Sequence, residues 1–119
     1  MALLEREEIL GASDLPTATV AVPEWGGEVI VKTMMAAERD AWEAANVKGR
    51  GKHARLEMVN IRARLAAATV VDEAGALLFK QADVEALGAK SAAAVDRIFA
   101  VAMTLNGLSD KDLEELEKN

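Results

Sequence analysis

The sequence predicts an α+β fold: an N-terminal β-hairpin packed on a bundle of about four to five helices, with a second short hairpin left open further along the chain. Three observations predict it. Valines alternate on both sides of a Pro/Gly turn in "TATVAVPEWGGEVIVK", the period of half-buried strands. Apolar residues recur at helical spacing from Met34, from Leu56 and from Ser91. Alanine supplies much of the 51% hydrophobic fraction, which favours helix. At 119 residues the chain is expected to form one domain over residues 1–119, large enough for a real core and too small for two.

The elements follow in order. Residues Leu4 to Leu10 suit a short amphipathic helix, stopped by Gly11 and the turn-forming "SDLP". In the hairpin, Val20 and Val22 share one face of the first strand and Val29 and Val31 one face of the second. Pro23 ends the ladder, Gly26 and Gly27 are expected to supply the positive φ angles of the reversal, and Trp25 sits near the tip. A helix through "MMAAERDAWEAAN" carries Met34, Ala37, Ala41 and Ala45 on one stripe with Trp42 beside it, and stops near Asn46. The next stretch, "VKGRGKHAR", has no periodicity and reads as a mobile loop.

From Leu56 to Val70 two adjacent apolar stripes, Leu56, Val59, Ala63, Ala67, Val70 and Met58, Ile61, Leu65, Ala68, predict the central and most buried helix. In "VVDEAGALLF", Asp72 to Gly75 turn the chain, giving either a small second hairpin between Val70-Val71 and Leu77 to Phe79 or a loop with an extended arm. "QADVEALG" is a short helix ending at Gly88. A longer one follows, with Ser91 as N-cap, a core face of Val95, Ile98, Phe99, Ala102 and Leu105, and Asn106-Gly107 as its stop. In "LSDKDLEELEKN", Ser109 is an N-cap with Asp112 at the third helical position, and Leu108 and Leu113 are the two ends of a hydrophobic staple.

Composition excludes several functions. Twenty acidic against 14 basic residues give a net charge of −6, the wrong sign for a protein that lives on phosphate backbones, so no nucleic-acid partner is expected. The chain has no cysteine, which removes disulfides, thiolate metal sites and a Cys nucleophile together and fits a reducing cytoplasm. "MALLEREEIL" turns acidic too early for a secretory signal, and "LAAATVV" falls far short of the ~20 residues of a membrane span, so no membrane partner is expected. The one histidine, His53, has no second His or Cys with which to share a metal. The neighbouring pairs Glu7-Glu8 and Glu114-Glu115 diverge on their helices instead of converging as acid–base work requires. "GRG" lacks the strand, the spacing and the Lys-Ser/Thr of a phosphate loop. No catalytic, cofactor-binding or metal-binding residue is therefore assigned, and the chain is not expected to be an enzyme.

Two features suggest contact with another protein. Lys48, Arg50, Lys52, Arg55, Arg62 and Arg64 crowd one stretch against a single Glu57, whereas Ser109 to Asn119 holds five acids and two lysines. Lys48, Arg50, Lys52 and Arg55 are candidates for docking an acidic partner segment; ordinary surface charge on a solvated loop is the competing reading. Trp25, one of only four aromatic residues, either folds back over the hairpin base or anchors a partner.

The order of these segments carries a resemblance. "EREEILGASDLPTATVAVPEWGGEVIVKTMMAAERDAWE", "RARLAAATVVDEAGALLF" and "ADVEALGAKSAAAVDRIFAVAMTLNGLSDKDLEELEKN" together resemble the tail assembly chaperones of long-tailed bacteriophages over nearly the full chain. The most specific parts are "VPEWGG" followed by "AAERDAWE", the "VDEAG" turn before "LF", and the closing segment. One departure is Met35 where the family commonly has Ser or Thr before "AAER"; a capping box with Glu38 is then lost and Thr33 is the alternative cap. The resemblance implies a late, non-enzymatic protein of a phage or prophage. It would bind the tape-measure protein in the bacterial host cytoplasm, keep it soluble, help recruit the major tail protein, and be absent from the mature virion. It leaves room for a weak homo-oligomer and implies no cofactor. In many members a minus-one frameshift extends a minority of the product, and Glu117-Lys118-Asn119 is compatible with a slippery GAA AAA AAC; this chain would then be the short product. A permanent structural component of the particle, a tail-completion or connector subunit, is the alternative.

Overall fold

The structure, a computed structural model, describes residues 2–109, 111 and 112. Helix α1 (Arg6–Leu10) precedes strands β1 (Thr17–Val22) and β2 (Gly27–Lys32). Helix α2 (Ala36–Ala45) leads into a small hairpin, β3 (Val47–Lys48) and β4 (Arg55–Leu56). Helix α3 (Ile61–Thr69) runs straight into β5 (Val70–Val71), and α4 (Val84–Gly88) and α5 (Ala92–Leu105) complete the described elements. This is the α+β arrangement that the sequence predicts, an N-terminal hairpin with five helices.

Strands β1 and β2 pair antiparallel with Val20 opposite Val29, and β5 joins the other side of β2 through Val70 opposite Val31, giving the order β1-β2-β5. The alternation acts as expected: Val20, Val22 and Val31 are buried and Val29 packs against the same core. The turn differs from expectation. Pro23–Trp25 forms one 3-10 turn, Gly26 alone takes a positive φ of 75°, and Gly27 already sits in the ladder opposite Val22. With Pro23 fixing φ at the start of the turn, one left-handed residue completes the reversal.

Helix α3 packs on α4, α5 and β2 and buries Ile61, Ala63, Leu65, Ala66, Ala67 and Thr69. It is the central helix, but it starts at Ile61 instead of Leu56. Leu56 is spent in β4, and Asn60 takes a left-handed φ of 62° that breaks the helical run. The side chain of Asn60 lies where a Cβ on Gly88 would collide with it, so a larger residue there would displace that side chain. Met58 and Val59, expected on the helix, are exposed instead.

Helix α2 corrects another expectation. Ala37, Ala41 and Ala45 are exposed and Trp42 is the residue it buries. One indole removes far more apolar area from water than three methyl groups, so the helix turns its Trp face inward. It begins at Ala36 with Met35 as N-cap. Thr33 does not cap, because its hydroxyl donates to the Pro16 carbonyl at 2.7 Å. The capping box read as lost keeps one of its halves: the Glu38 carboxylate accepts the Met35 N–H at 2.8 Å. The stretch read as a mobile loop is instead the β3–β4 hairpin, closed by a 3-10 turn at Gly51–His53 with Gly49 at φ 83° and Gly51 at φ 56°.

Of the two readings of residues 70–79, the structure combines parts of each. The Asp72 carboxylate accepts the Ala74 and Ala76 amides at 2.8 and 3.0 Å and Gly75 takes φ 87°, so the turn is the expected one. The return pairs on the free edge of β5 through a single bridge, Val71 to Leu77, with the Leu78 amide donating to the Val70 carbonyl at 3.1 Å. The short helix ends at Gly88 as expected. In α5, Ser91 caps through Oγ, which accepts the Ala94 N–H at 3.3 Å, and Gly107 turns left-handed at φ 64° beyond the helix end. Val95, Ile98 and Ala102 are buried as expected, joined by Ala94 and Met103, while Phe99 and Leu105 are half-buried. Ser109 and Asp112 exchange hydrogen bonds of 2.8 and 3.2 Å, the reciprocal cap read from the sequence. Leu113, the far end of the expected staple, lies outside the described residues.

Candidate partner-binding surface

Each sequence-predicted contact residue has a definite support. Trp25 ends the 3-10 turn at the tip of β1–β2, 38% exposed. The turn rests on α5, where Arg97 Nε donates to both Glu24 oxygens at 2.8 and 3.1 Å. The bond from Arg97, together with the backbone amide of Glu24, holds the Glu24 carboxyl below the usual range, and the same pairing raises Arg97. Trp25 thus stands on a tip that is tied to the helix layer.

The basic residues stand on the β3–β4 hairpin, where Lys48 is opposite Arg55 and Lys48, Arg50, Lys52 and Arg55 are all exposed. His53 lies in the same turn, exposed. Lys48 is committed to an ion pair with Glu57, which, with the Val59 amide, holds the Glu57 carboxyl below its usual range. Arg50, Lys52 and Arg55 make no ion pair among the described residues. The base of this hairpin is polar. Asn46, completely buried, accepts Arg64 Nε on Oδ1 at 2.6 Å, and its carbonyl accepts the Glu57 amide. Arg64 also donates to the Val59 and Glu57 carbonyls at 2.8 and 2.6 Å, and burial pushes its pKa down, partly offset by the Glu57 charge.

A third feature has no counterpart in the sequence reading. Ala41, Trp42 and Ala45 of α2, Ala67 and Ala68 of α3, and Leu77 and Phe79 of the returning arm line an open groove of about 220 Å³, with Glu38, Arg64 and Lys80 at its rim. Ala41 and Ala45, expected in the core, line it instead. Trp42 is 4% exposed, and its Nε1, like Nδ2 of Asn46, finds no hydrogen-bond partner among the described residues. Burial pushes the Glu38 carboxyl up, but the Lys32 ammonium at 2.6 Å, the Met35 amide and the Lys32 charge outweigh it, so Glu38 stays ionised and already paired. The structure supports Trp25 on α5 and the basic residues on the α2–α3 junction beside the groove. Asn46 and Arg64, which organise that junction, carry no sequence signal beyond one buried-capable amide and one more cation in a basic stretch. Among the described residues no group of His, Asp or Glu is placed to hold a metal, and no helix is long and apolar enough to cross a membrane.

A sequence profile of the family described as phage tail assembly chaperone matches residues 12–119. The solved structure of the bacteriophage HK97 tail assembly chaperone is similar to this chain with a TM-score of 0.59 at 19% identity, covering 87% of this chain and 95% of that one. At that identity the likeness speaks for the fold. No curated protein sequence matches.

Proposed function

Since this chain belongs to the phage tail assembly chaperone family, we propose that it binds the tape-measure protein in the host cytoplasm, keeps it soluble and helps recruit the major tail protein as the tail tube forms. The observation that carries this reading is the family match over residues 12–119, nearly the whole chain. The physical need is plain: a long helical partner with apolar stripes aggregates unless those stripes are covered while it waits for assembly. A small acidic domain with exposed apolar and cationic surface suits transient cover.

Trp25 and the basic residues Lys48, Arg50, Lys52 and Arg55 are the contact residues in this proposal. An aromatic on a braced tip loses little freedom on binding, and Arg50, Lys52 and Arg55, with no ion pair among the described residues, attract acidic stretches of a partner. The chain acts without catalysis or cofactor as a single domain, leaves before the virion is complete, and is the short product of a frameshifted gene whose extended form carries the tail-tube contact.

The test is expression of the native gene with its downstream DNA and an N-terminal tag, followed by intact-mass analysis of what the tag captures. A large helical partner together with a minor, longer product sharing this sequence is the expected result. Capture of neither, with this chain recovered in stoichiometric amount from purified particles, would replace the proposal with a permanent virion component.

A further inference from the structure

The three-stranded sheet has one open edge. On its β5 side the chain returns through the Val71–Leu77 bridge, but β1 pairs with β2 alone. Apart from that ladder, residues 17–22 make no backbone–backbone hydrogen bond among the described residues. Alternate residues of an edge strand turn their N–H and C=O groups away from its partner, so β1 presents a row of unpaired donors and acceptors. Such edges are ordinarily blunted by a lysine, a proline or a bulge. "TATVAV" contains neither residue, and its six positions pair with β2 without interruption.

The layer beneath this edge is uncovered as well. Ala18 of β1 and Ala100, Val101, Thr104 and Leu105 of α5 line an open hollow of about 360 Å³. Ala18 shares its face of the strand with the buried Val20 and Val22, so the hollow lies on the helix side of the sheet. The inward side chains of one further strand, ~4.8 Å beyond β1, would stand over it. None of its five lining residues is charged. Acids mark the two ends instead: Asp14 precedes β1 and Glu28 faces Ala21, neither with an ion pair among the described residues.

We propose that β1 accepts an extended segment of another protein as a fourth strand. The backbone of that segment completes the edge, and its alternate apolar side chains fill the hollow against Val101 and Leu105. A Lys or Arg at each end meets Asp14 and Glu28. This is recognition by strand addition, in which main-chain bonds hold the segment and side-chain alternation selects it. A second copy is the poorer occupant: antiparallel pairing of β1 with its own equivalent brings Asp14 of each copy toward the Glu24 end of the other and supplies no free cation there. The site is separate from the β3–β4 cations and takes an extended segment, not a helix, so the inference survives failure of the tape-measure reading.

The probe is a short synthetic peptide alternating Val and Thr with Lys at both ends. Its control is the same peptide N-methylated at every residue, which keeps the side chains and has no backbone donor. Hydrogen exchange of the whole chain is followed by residue-resolved NMR with each peptide. The first peptide is expected to slow alternate amides of Thr17–Val22 by about tenfold or more and to leave Val47–Leu56 unchanged. The control should give no such protection. Ala100→Lys, at an exposed position in the hollow, should abolish it with the thermal midpoint unchanged. Absence of protection at saturating peptide overturns the proposal, as does equal protection by the control or undiminished protection in Ala100→Lys. Alternate β1 amides that are already protected without peptide, increasingly so with protein concentration, would give the edge to a second copy and overturn it too.

Discussion

The two hairpins that carry the candidate contacts are built on opposite principles. In β1–β2 six residues face six, and alternate valines enter the core against α5 and α3. In β3–β4 two residues face two, and the base is held by Asn46, Arg64 and Glu57 through hydrogen bonds. The first is held by apolar burial spread over many residues, the second by directional bonds concentrated in a few. A device of the first kind fails only with the whole domain, whereas one of the second kind can open locally while the rest stays folded.

The largest effect should therefore come from beneath the first hairpin. Ile98 is completely buried in the core under the sheet, and Ile98→Ala is expected to cost about 3 kcal/mol of global stability. Denaturant unfolding would then show one transition shifted as a unit. A separate early transition confined to β1–β2 would break the comparison.

Asn46→Ala comes next, at about 2 kcal/mol, because it leaves Nε of the half-buried Arg64 without its acceptor. Here the loss should be local. Hydrogen exchange is expected to accelerate at Val47–Leu56 while the amides of β1 and β2 keep their protection; equal acceleration in both hairpins would show that the polar base serves the whole fold.

Acid sharpens the contrast further. Glu57 has a folded pKa below its ordinary value, so the stability it contributes is fully present above the unfolded value and is lost as pH falls through the lower folded one. The first hairpin has counterparts only at its ends, Glu24 at the tip and Glu38 on Lys32, both also lowered; its valines do not titrate. Lowering the pH is expected to release β3–β4 before β1–β2, followed by residue-resolved NMR. Simultaneous loss of both would contradict the distinction.

The smallest change in stability, within about 0.5 kcal/mol, is expected for Arg50→Ala and Lys52→Ala, since neither side chain has an ion pair among the described residues. Their effect should appear in partner capture alone.

The same contrast explains what was legible in the sequence. Val20, Val22, Val29 and Val31 state the first hairpin by a period that any face-burying strand must show, and Ser91 and Ser109 announce their helix starts by local chemistry. The second hairpin has no period: two residues per strand are too few to alternate, and what closes it is a pair of left-handed glycines and an Asn–Arg contact across 18 residues. The start of α3 was illegible for a similar reason. Met58 and Val59 fit helical stripes, but Asn60 leaves the helical region, with its side chain against Gly88, 28 residues away. The groove was hidden because a stripe of alanines reads as core, while Trp42 alone decides which way α2 turns. The candidate contact residues stand out as one aromatic at a turn and a cluster of cations, and the structure places them on two different hairpins.

The most direct test of the central claim is the solubility of the tape-measure protein produced alone, with this chain, and with a variant combining Trp25→Ala, Arg50→Ala and Lys52→Ala. The account predicts an insoluble tape measure alone, a soluble complex with the wild-type chain, and a return to insolubility with the variant although the variant itself remains folded. A tape measure equally soluble with and without this chain would contradict it.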